Sequence, residues 1–264
     1  MTFFIFTLGV VLAIFFGSLL LLEVGRRLGA RRLSEVGNGA MAGLNAIEGA
    51  VFALMGLLLA FSISGALQRF DDRRQLILQE ANAISTAYDR ADLLQGDERI
   101  KTKEMLKTYV RARLDLYRRP VEFSGHEGER FSQEQLARID ALKQEIWEKS
   151  VVGCRQTVDT TACSLLLLAL NNSFEAARLR AGASERHPPQ IIYFMLFGLG
   201  LGASLLAGFG MAASQARSLV HMLVFATSLS AALYVITDIE FPRLGLVRVD
   251  YFDHFLEEVH ANMK

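Results

Sequence analysis

The chain is short of the residues that staple, break or catalyse. It has two cysteines, Cys154 and Cys163. Two cannot build a disulfide scaffold, and with no His or Cys nearby at ligand spacing they do not read as a zinc site. Only four prolines interrupt 264 residues, so long stretches are free to stay helical. There is no excess of one charge: 28 Lys and Arg balance 28 Asp and Glu, so bulk electrostatics give no reason to bind nucleic acid. No GxSxG, HExxH, Walker A or GxGxxG run occurs. The five histidines, His126, His187, His221, His254 and His260, are scattered. His126, in the turn "SGHEGER", has acids beside it but no helix and no second ligand at the right spacing. These absences point away from an enzyme, and no metal or cofactor is expected.

Apolar residues are abundant instead. They make up 52 % of the chain, yet 21 % is charged, so oil and charge must be segregated along it. A membrane helix needs about 20 mostly apolar residues. Four segments qualify: residues 3–22, 47–67, 190–210 and 219–237. The run at 165–170 is too short to span and reads as part of a soluble helical core. The first segment has no basic stretch before it and no small-residue cleavage site after it, so it reads as a retained span. The expected organisation is all-α. Residues 1–67 hold spans one and two with a basic loop, 68–188 a helical soluble insert, 189–238 spans three and four, and 239–264 a tail with a short amphipathic helix.

The second span shows no stop signal where its oil ends. Through "LLLAFSISGALQRFDDRRQLILQEANAI" only Gly65 is a poor helix former. The spacing predicts one helix to about Leu94. Its apolar positions Ile77, Ala81, Ile84, Tyr88 and Ala91 step 4, 3, 4, 3, a seam that faces one partner surface. Asp71 with Arg74, and Arg69 with Asp72, are spaced to pair on its surface. "QGD" at 95–97 breaks the chain, with Asp97 as cap. A second insert helix runs to about Arg119, before Pro120. A third starts at Ser132 and runs to about Val152. A fourth opens at Thr160 or Thr161 and ends near Ala181. The short "LVRV" at 246–249 is the one strand-like pattern. In the tail, Phe252, Phe255, Leu256, Val259 and Met263 fall at helical spacing; such a helix docks on the insert or lies on the membrane surface, and its mostly acidic polar face favours docking.

Polar residues within the spans are functional candidates, because ionisable groups are costly in lipid. Glu48 stands in the first turn of span two, where an interfacial acid on the positive end of the helix dipole is the favoured reading. Thr227, Ser230, Tyr234 and Asp238 follow one stripe of span four, which either lines water or bonds within a bundle. Gly198, Gly200, Gly202, Ser204 and Gly208 of span three read as a helix contact face.

The runs "AIEGAVFALMGLLLAFSISGALQRFDDRRQLILQEANAISTAYDRADLL", "LALNNSF" and "YVITDIEFPRLGLVRVD" resemble the bacterial and plant family of unknown function often labelled bestrophin-like. At the exit of span two the chain is also distantly similar to the bestrophin anion channels. There an aromatic neck residue is followed two turns later by an Arg-aromatic pair, an acid and an Arg. Phe61, Arg69, Phe70, Asp72 and Arg74 fit that spacing. The resemblance implies a pore neck at Ala53, Leu57 and Phe61, which lie four apart on one helix face. Ala53 departs from the pattern, being small where a bulkier apolar residue is usual. By periodicity alone these three are ordinary lipid-facing or core positions. The acids Asp250, Asp253, Glu257 and Glu258 do not reproduce a bestrophin calcium clasp.

A ring of apolar side chains from several subunits can gate a pore by excluding water, and one four-span subunit cannot easily enclose a pore alone. The resemblance therefore implies a homo-oligomer in a lipid bilayer, passing inorganic anions. The alternative is a non-conducting scaffold or sensor whose insert binds a partner. A bacterial inner membrane is the expected location. Two arguments on orientation disagree. Arg26, Arg27, Arg31, Arg32 and Arg217 mark the short loops as cytoplasmic and place the insert outside, where Cys154 and Cys163 could pair. The basic insert flanks Arg69, Arg73, Arg74, Arg178, Arg180 and Arg186, and the bestrophin stalk, argue for the cytosol. The first helix usually dominates orientation, so an insert outside the cytoplasm is the expectation.

Overall fold

The computed structural model describes residues 2–36, 44–118, 125–156, 159–213 and 219–263. Among these there are eight α-helices and no strand: α1 (Thr2–Val36), α2 (Leu44–Arg90), α3 (Gly96–Arg118), α4 (Gly125–Gln156), α5 (Thr160–Ser184), α6 (Gln190–Gly210), α7 (Leu219–Glu240) and α8 (His254–Asn262). The expected strand-like residues 246–249 form bends and coil, tied back where Val249 N–H donates to Pro242 O at 2.9 Å. Pro120 and Arg217 lie outside the described residues.

The chain divides into two compact units. The first, Met1–Gln68 with His187–Phe241, holds α1, the apolar part of α2, α6 and α7. Each of these helices is long and apolar enough to cross a membrane. Lipid tails are as apolar as leucine, so such helices hold together by close packing. Here that packing rests on glycine. A Cβ at Gly25 of α1 would lie 2.0 Å from the carbonyl oxygen of Leu205, and one at Gly208 of α6 would lie 2.0 Å from that of Leu22. Any side chain at either position forces the two backbones apart. Of the expected contact face, Gly208 meets α1, Gly200 meets Leu229 of α7, whose methyls a Cβ would approach to 3.3 Å, and Ser204 is fully buried. Gly198 and Gly202, expected on it, face open space. Ile14, Leu196, Leu229 and Leu233 form the buried apolar cluster of this unit, with Met55, Leu58, Leu59 and Phe225 against it.

The arginines after span one stand on helix, not in the expected loop. α1 continues to Val36 because nothing in residues 23–36 breaks it, and Glu23 pairs one turn away with Arg26 (3.1 Å) and Arg27 (2.8 Å).

The second unit, Arg69–Arg186 with Pro242–Lys264, holds the rest of α2, α3, α4, α5 and α8. The predicted seam is its spine: Ile77, Ala81, Ile84, Tyr88 and Ala91 are all buried. From Ala81 onward they join Leu106, Tyr109, Val110, Ile146, Leu166 and Leu170 in one core, so the insert's own helices cover the seam. Leu256 and Met263 enter the same core, so the tail docks as expected. The break after α2 uses Gly96 at φ 58°, a conformation glycine adopts without steric cost. Asp97 falls in the first turn of α3 instead of capping it. α4 starts at Gly125, ahead of the expected Ser132, since no proline stands in "GHEGERFSQ". α5 is capped by Asp159, whose carboxylate accepts from Thr161 N (2.9 Å) and Ala162 N (3.1 Å). Arg73 serves the other end of α5, donating to the carbonyls of Ala183 (3.2 Å) and Arg186 (3.0 Å). Cys154 and Cys163 form a disulfide that ties the last turns of α4 to the first turn of α5.

Candidate functional site

Within the first unit α2 has two contrasting faces. One packs inward through Met55, Leu58 and Leu59, with Phe52 edge-on to Phe225 at 6.3 Å. The other carries Ala53, Leu57 and Phe61, and all three are exposed, Phe61 by 66 %. Gly49 and Gly56 open onto space beside them, and Ala60 and Ser64 extend the surface. Of the four membrane helices α2 has the least of its apolar window buried, 6 % against 22, 28 and 33 %.

Of the residues expected past the neck, Arg69 and Asp72 line a small groove with Gln75, Leu76, Gln79, Ala183 and Arg186. Arg74 bonds to Asp71 at 2.9 Å and lies over the rings of Phe252 (4.4 Å) and Phe70 (5.8 Å). Aromatic faces attract a guanidinium, so this arginine is held against the tail.

The polar candidates of the spans do not converge. Glu48 lies against Gly210 at the end of α6, where a built Cβ would meet its carboxylate at 2.6 Å. Thr227 is exposed, and Ser230 is buried with no hydrogen-bond partner among the described residues. Tyr234 donates to Asp238 at 3.1 Å, and Asp238 is buried near the far end of α7. Just beyond it His187 Nδ1 lies 3.2 Å from Glu240, stacked on Phe241 at 4.7 Å.

The most ordered electrostatic feature is in the second unit. Glu80 is fully buried. One of its oxygens accepts from Arg113 Nε at 2.7 Å and the other from Arg180 Nη1 at 2.8 Å. Arg180 also pairs with Asp253 at 2.5 Å and lies 3.4 Å over the ring of Tyr117. Arg113 donates to the Tyr117 hydroxyl and to Ala177 O. Arg243 reaches Tyr117 O (2.8 Å), Asp250 (3.1 Å) and Asp253 (3.3 Å). Three arginines thus meet three carboxylates, joining α2, α3, α5 and the tail. Burial alone would raise the Glu80 pKa, and Arg113 and Arg180 more than reverse it, leaving it below the usual carboxylate value. Burial is also what pushes the Tyr117 hydroxyl up to about 12.

Sequence reasoning missed this cluster. Its one visible signal is Glu80 itself, three residues past Ile77 and four before Ile84, an acid on a face otherwise apolar. Arg180, read as a basic flank, and Asp253, considered only as an acid that makes no calcium clasp, are both buried partners. Among the described residues no three His, Cys, Asp or Glu gather as a metal site.

The sequence matches the Bestrophin-like domain family over residues 9–251. The fold matches a bacterial bestrophin homologue from Klebsiella pneumoniae, with 13 % identity, TM-score 0.68, and 93 % of this chain and 97 % of that one covered. A second crystal structure, described as a membrane protein, matches with TM-score 0.69 at 11 % identity over 94 % of this chain and 98 % of that one. No curated protein matches the chain.

Proposed function

This chain belongs to the Bestrophin-like family, and from that premise we propose that it is a subunit of an oligomeric anion channel whose neck is built from Ala53, Leu57 and Phe61. The observation that carries this reading is the open face of α2. A membrane helix whose apolar window is 6 % buried, and whose exposed side is a straight apolar row, has a surface to offer an axis shared with other copies. Apolar rings of this kind conduct when wetted and close by excluding water. In the second unit the buried ionic cluster clamps α2 to α3, α5 and the tail, which suits a helix that must hold its orientation.

The insert lies on the side away from the cytoplasm in this reading. Arg26, Arg27, Arg31 and Arg32 crowd the end of span one, and arginines there stay inside. Two of the arginines that argued for a cytosolic insert have work within the second unit: Arg73 caps α5 and Arg180 is buried on Glu80. The Cys154–Cys163 disulfide fits an oxidising compartment. An impermeant thiol reagent applied to intact cells should label the native cysteines only after mild reduction. Labelling that requires lysis places the insert in the cytoplasm.

Assembly is tested with Leu57→Cys in a background lacking Cys154 and Cys163. Bifunctional maleimide should give covalently linked dimers in membranes. A monomer under all linker lengths contradicts a shared axis through this face.

A further inference from the structure

An open cleft of about 580 Å³ lies among α1, α6 and α7, lined by Leu22, Ala207, Met211, Val220, Val224 and Phe225, with His221 and Ser228 as its polar members. That volume is in the range that holds one ligand-sized molecule. It belongs wholly to the membrane unit. Along α7 the lining runs from Val220 to Ser228, about 12 Å at the rise of an α-helix. The hydrocarbon of one leaflet is about half of 30 Å. The cleft is therefore as deep as most of one leaflet, and its walls are apolar as an acyl chain requires. It opens at the end of the unit where α6 finishes and α7 begins.

Charge at that end is not balanced. Arg26 follows Leu22 by one helical turn on the same face, and its side chain leans back toward that turn. Arg26 and Arg27 share the single carboxylate of Glu23. Arg31 and Arg32 continue α1 and are exposed. Against the four arginines stand Glu23, Glu35 on α1 and Glu48 beside Gly210, an excess of one positive charge. Basic side chains at a membrane surface attract anionic headgroups.

We infer that this cleft is a site for one anionic phospholipid, its acyl chain between α1, α6 and α7 and its phosphate among Arg26, Arg27 and His221. The inference rests on the membrane-spanning fold and not on conduction, so it stands or falls apart from the channel reading. The alternative occupant is a side chain from a second copy.

Native mass spectrometry of the detergent-purified full chain, titrated with phosphatidylglycerol or phosphatidylcholine, tests it. One phosphatidylglycerol per chain should be retained at least five-fold over phosphatidylcholine. Arg26→Gln with Arg27→Gln should abolish that preference and leave weak binding of both lipids. Ser228→Trp, which fills the cleft from an exposed position, should remove both. If that variant does not elute as folded protein, Val224→Phe narrows the same cleft from its exposed side and should lower retention in the same direction. Equal retention of the two lipids, or retention unchanged by cleft-filling, overturns the site. Loss of the oligomer on Ser228→Trp with no lipid bound in the wild type assigns the cleft to a neighbouring subunit and also overturns it.

Discussion

Glu80 and Arg180 stand 100 positions apart in the sequence and 2.8 Å apart in the fold, with no solvent reaching the carboxylate. The pair, with Arg113 on the other oxygen, fixes α2 against α3 and α5. Its net worth against an apolar replacement is small, because burying charge costs about as much as the attraction returns. Breaking it is another matter. Glu80→Ala leaves two guanidinium groups buried without their shared partner. It should destabilise the fold by roughly 3–5 kcal/mol, read as a large drop in the melting temperature of the purified protein. A change within a degree of wild type would show that the cluster is not fixed as described.

The same carboxylate predicts a pH dependence. Its folded pKa lies below the unfolded one, so the stability it gives is fully present above the ordinary carboxylate value of about 4.3. It is lost as pH falls through the depressed folded value. The stability gap between wild type and Glu80→Gln should be constant from pH 8 to pH 5 and shrink below about 4. Thermal melts across that range measure it. A gap that closes near neutrality would mean that a different group governs the cluster.

Glycine substitutions separate contact from open surface. Gly208→Ala would place a methyl group 2.0 Å from the Leu22 carbonyl oxygen, so it should abolish folded, monodisperse protein. Gly202→Ala meets nothing within 4 Å and should be neutral, or stabilising by about 0.5–1 kcal/mol through helix propensity. Fluorescence-detected size exclusion of the two variants decides it. Equal yields would contradict the α1–α6 crossing.

Cys154→Ser with Cys163→Ser removes the tie between α4 and α5. A bridge closing so short a loop is worth roughly 2–3 kcal/mol in the chain-entropy picture. The double variant should melt lower than the oxidised wild type and match the wild type treated with reductant. Reductant that lowers the variant equally would place its action elsewhere.

Much of this fold is legible in the sequence because the physical signals are local. Lipid demands about 20 apolar residues, and the four spans follow from that demand. The seam from Ile77 to Ala91 is readable because a helix that buries one face must repeat every 3.5 or so residues. Helix ends were less legible. α5 opens at Thr160 as expected, with Asp159 as a cap that the sequence reading did not name, whereas α4 begins before Ser132, because a helix start depends on which donors the folded backbone leaves open. The five small residues of α6 look alike in sequence. Only tertiary packing, against α1 at Gly208 and against Leu229 of α7 at Gly200, divides Gly200, Ser204 and Gly208 from Gly198 and Gly202. The ionic cluster was least legible, because Arg113, Arg180, Arg243 and Asp253 are ordinary surface residue types until tertiary contacts bury or pair them. Glu80 alone stood in a position that its chemistry did not explain.

The central claim is that the exposed face of α2 lines a conducting neck. Chloride flux through liposomes containing the purified full chain, with Phe61→Ala measured beside it, tests it most directly. The account predicts anion-selective flux in the wild type and an altered rate in the variant, because Phe61 is the bulkiest side chain on that face. Flux that Phe61→Ala leaves unchanged would remove the neck from this face, and folded, inserted protein that passes no ion under any salt or pH would contradict the channel itself.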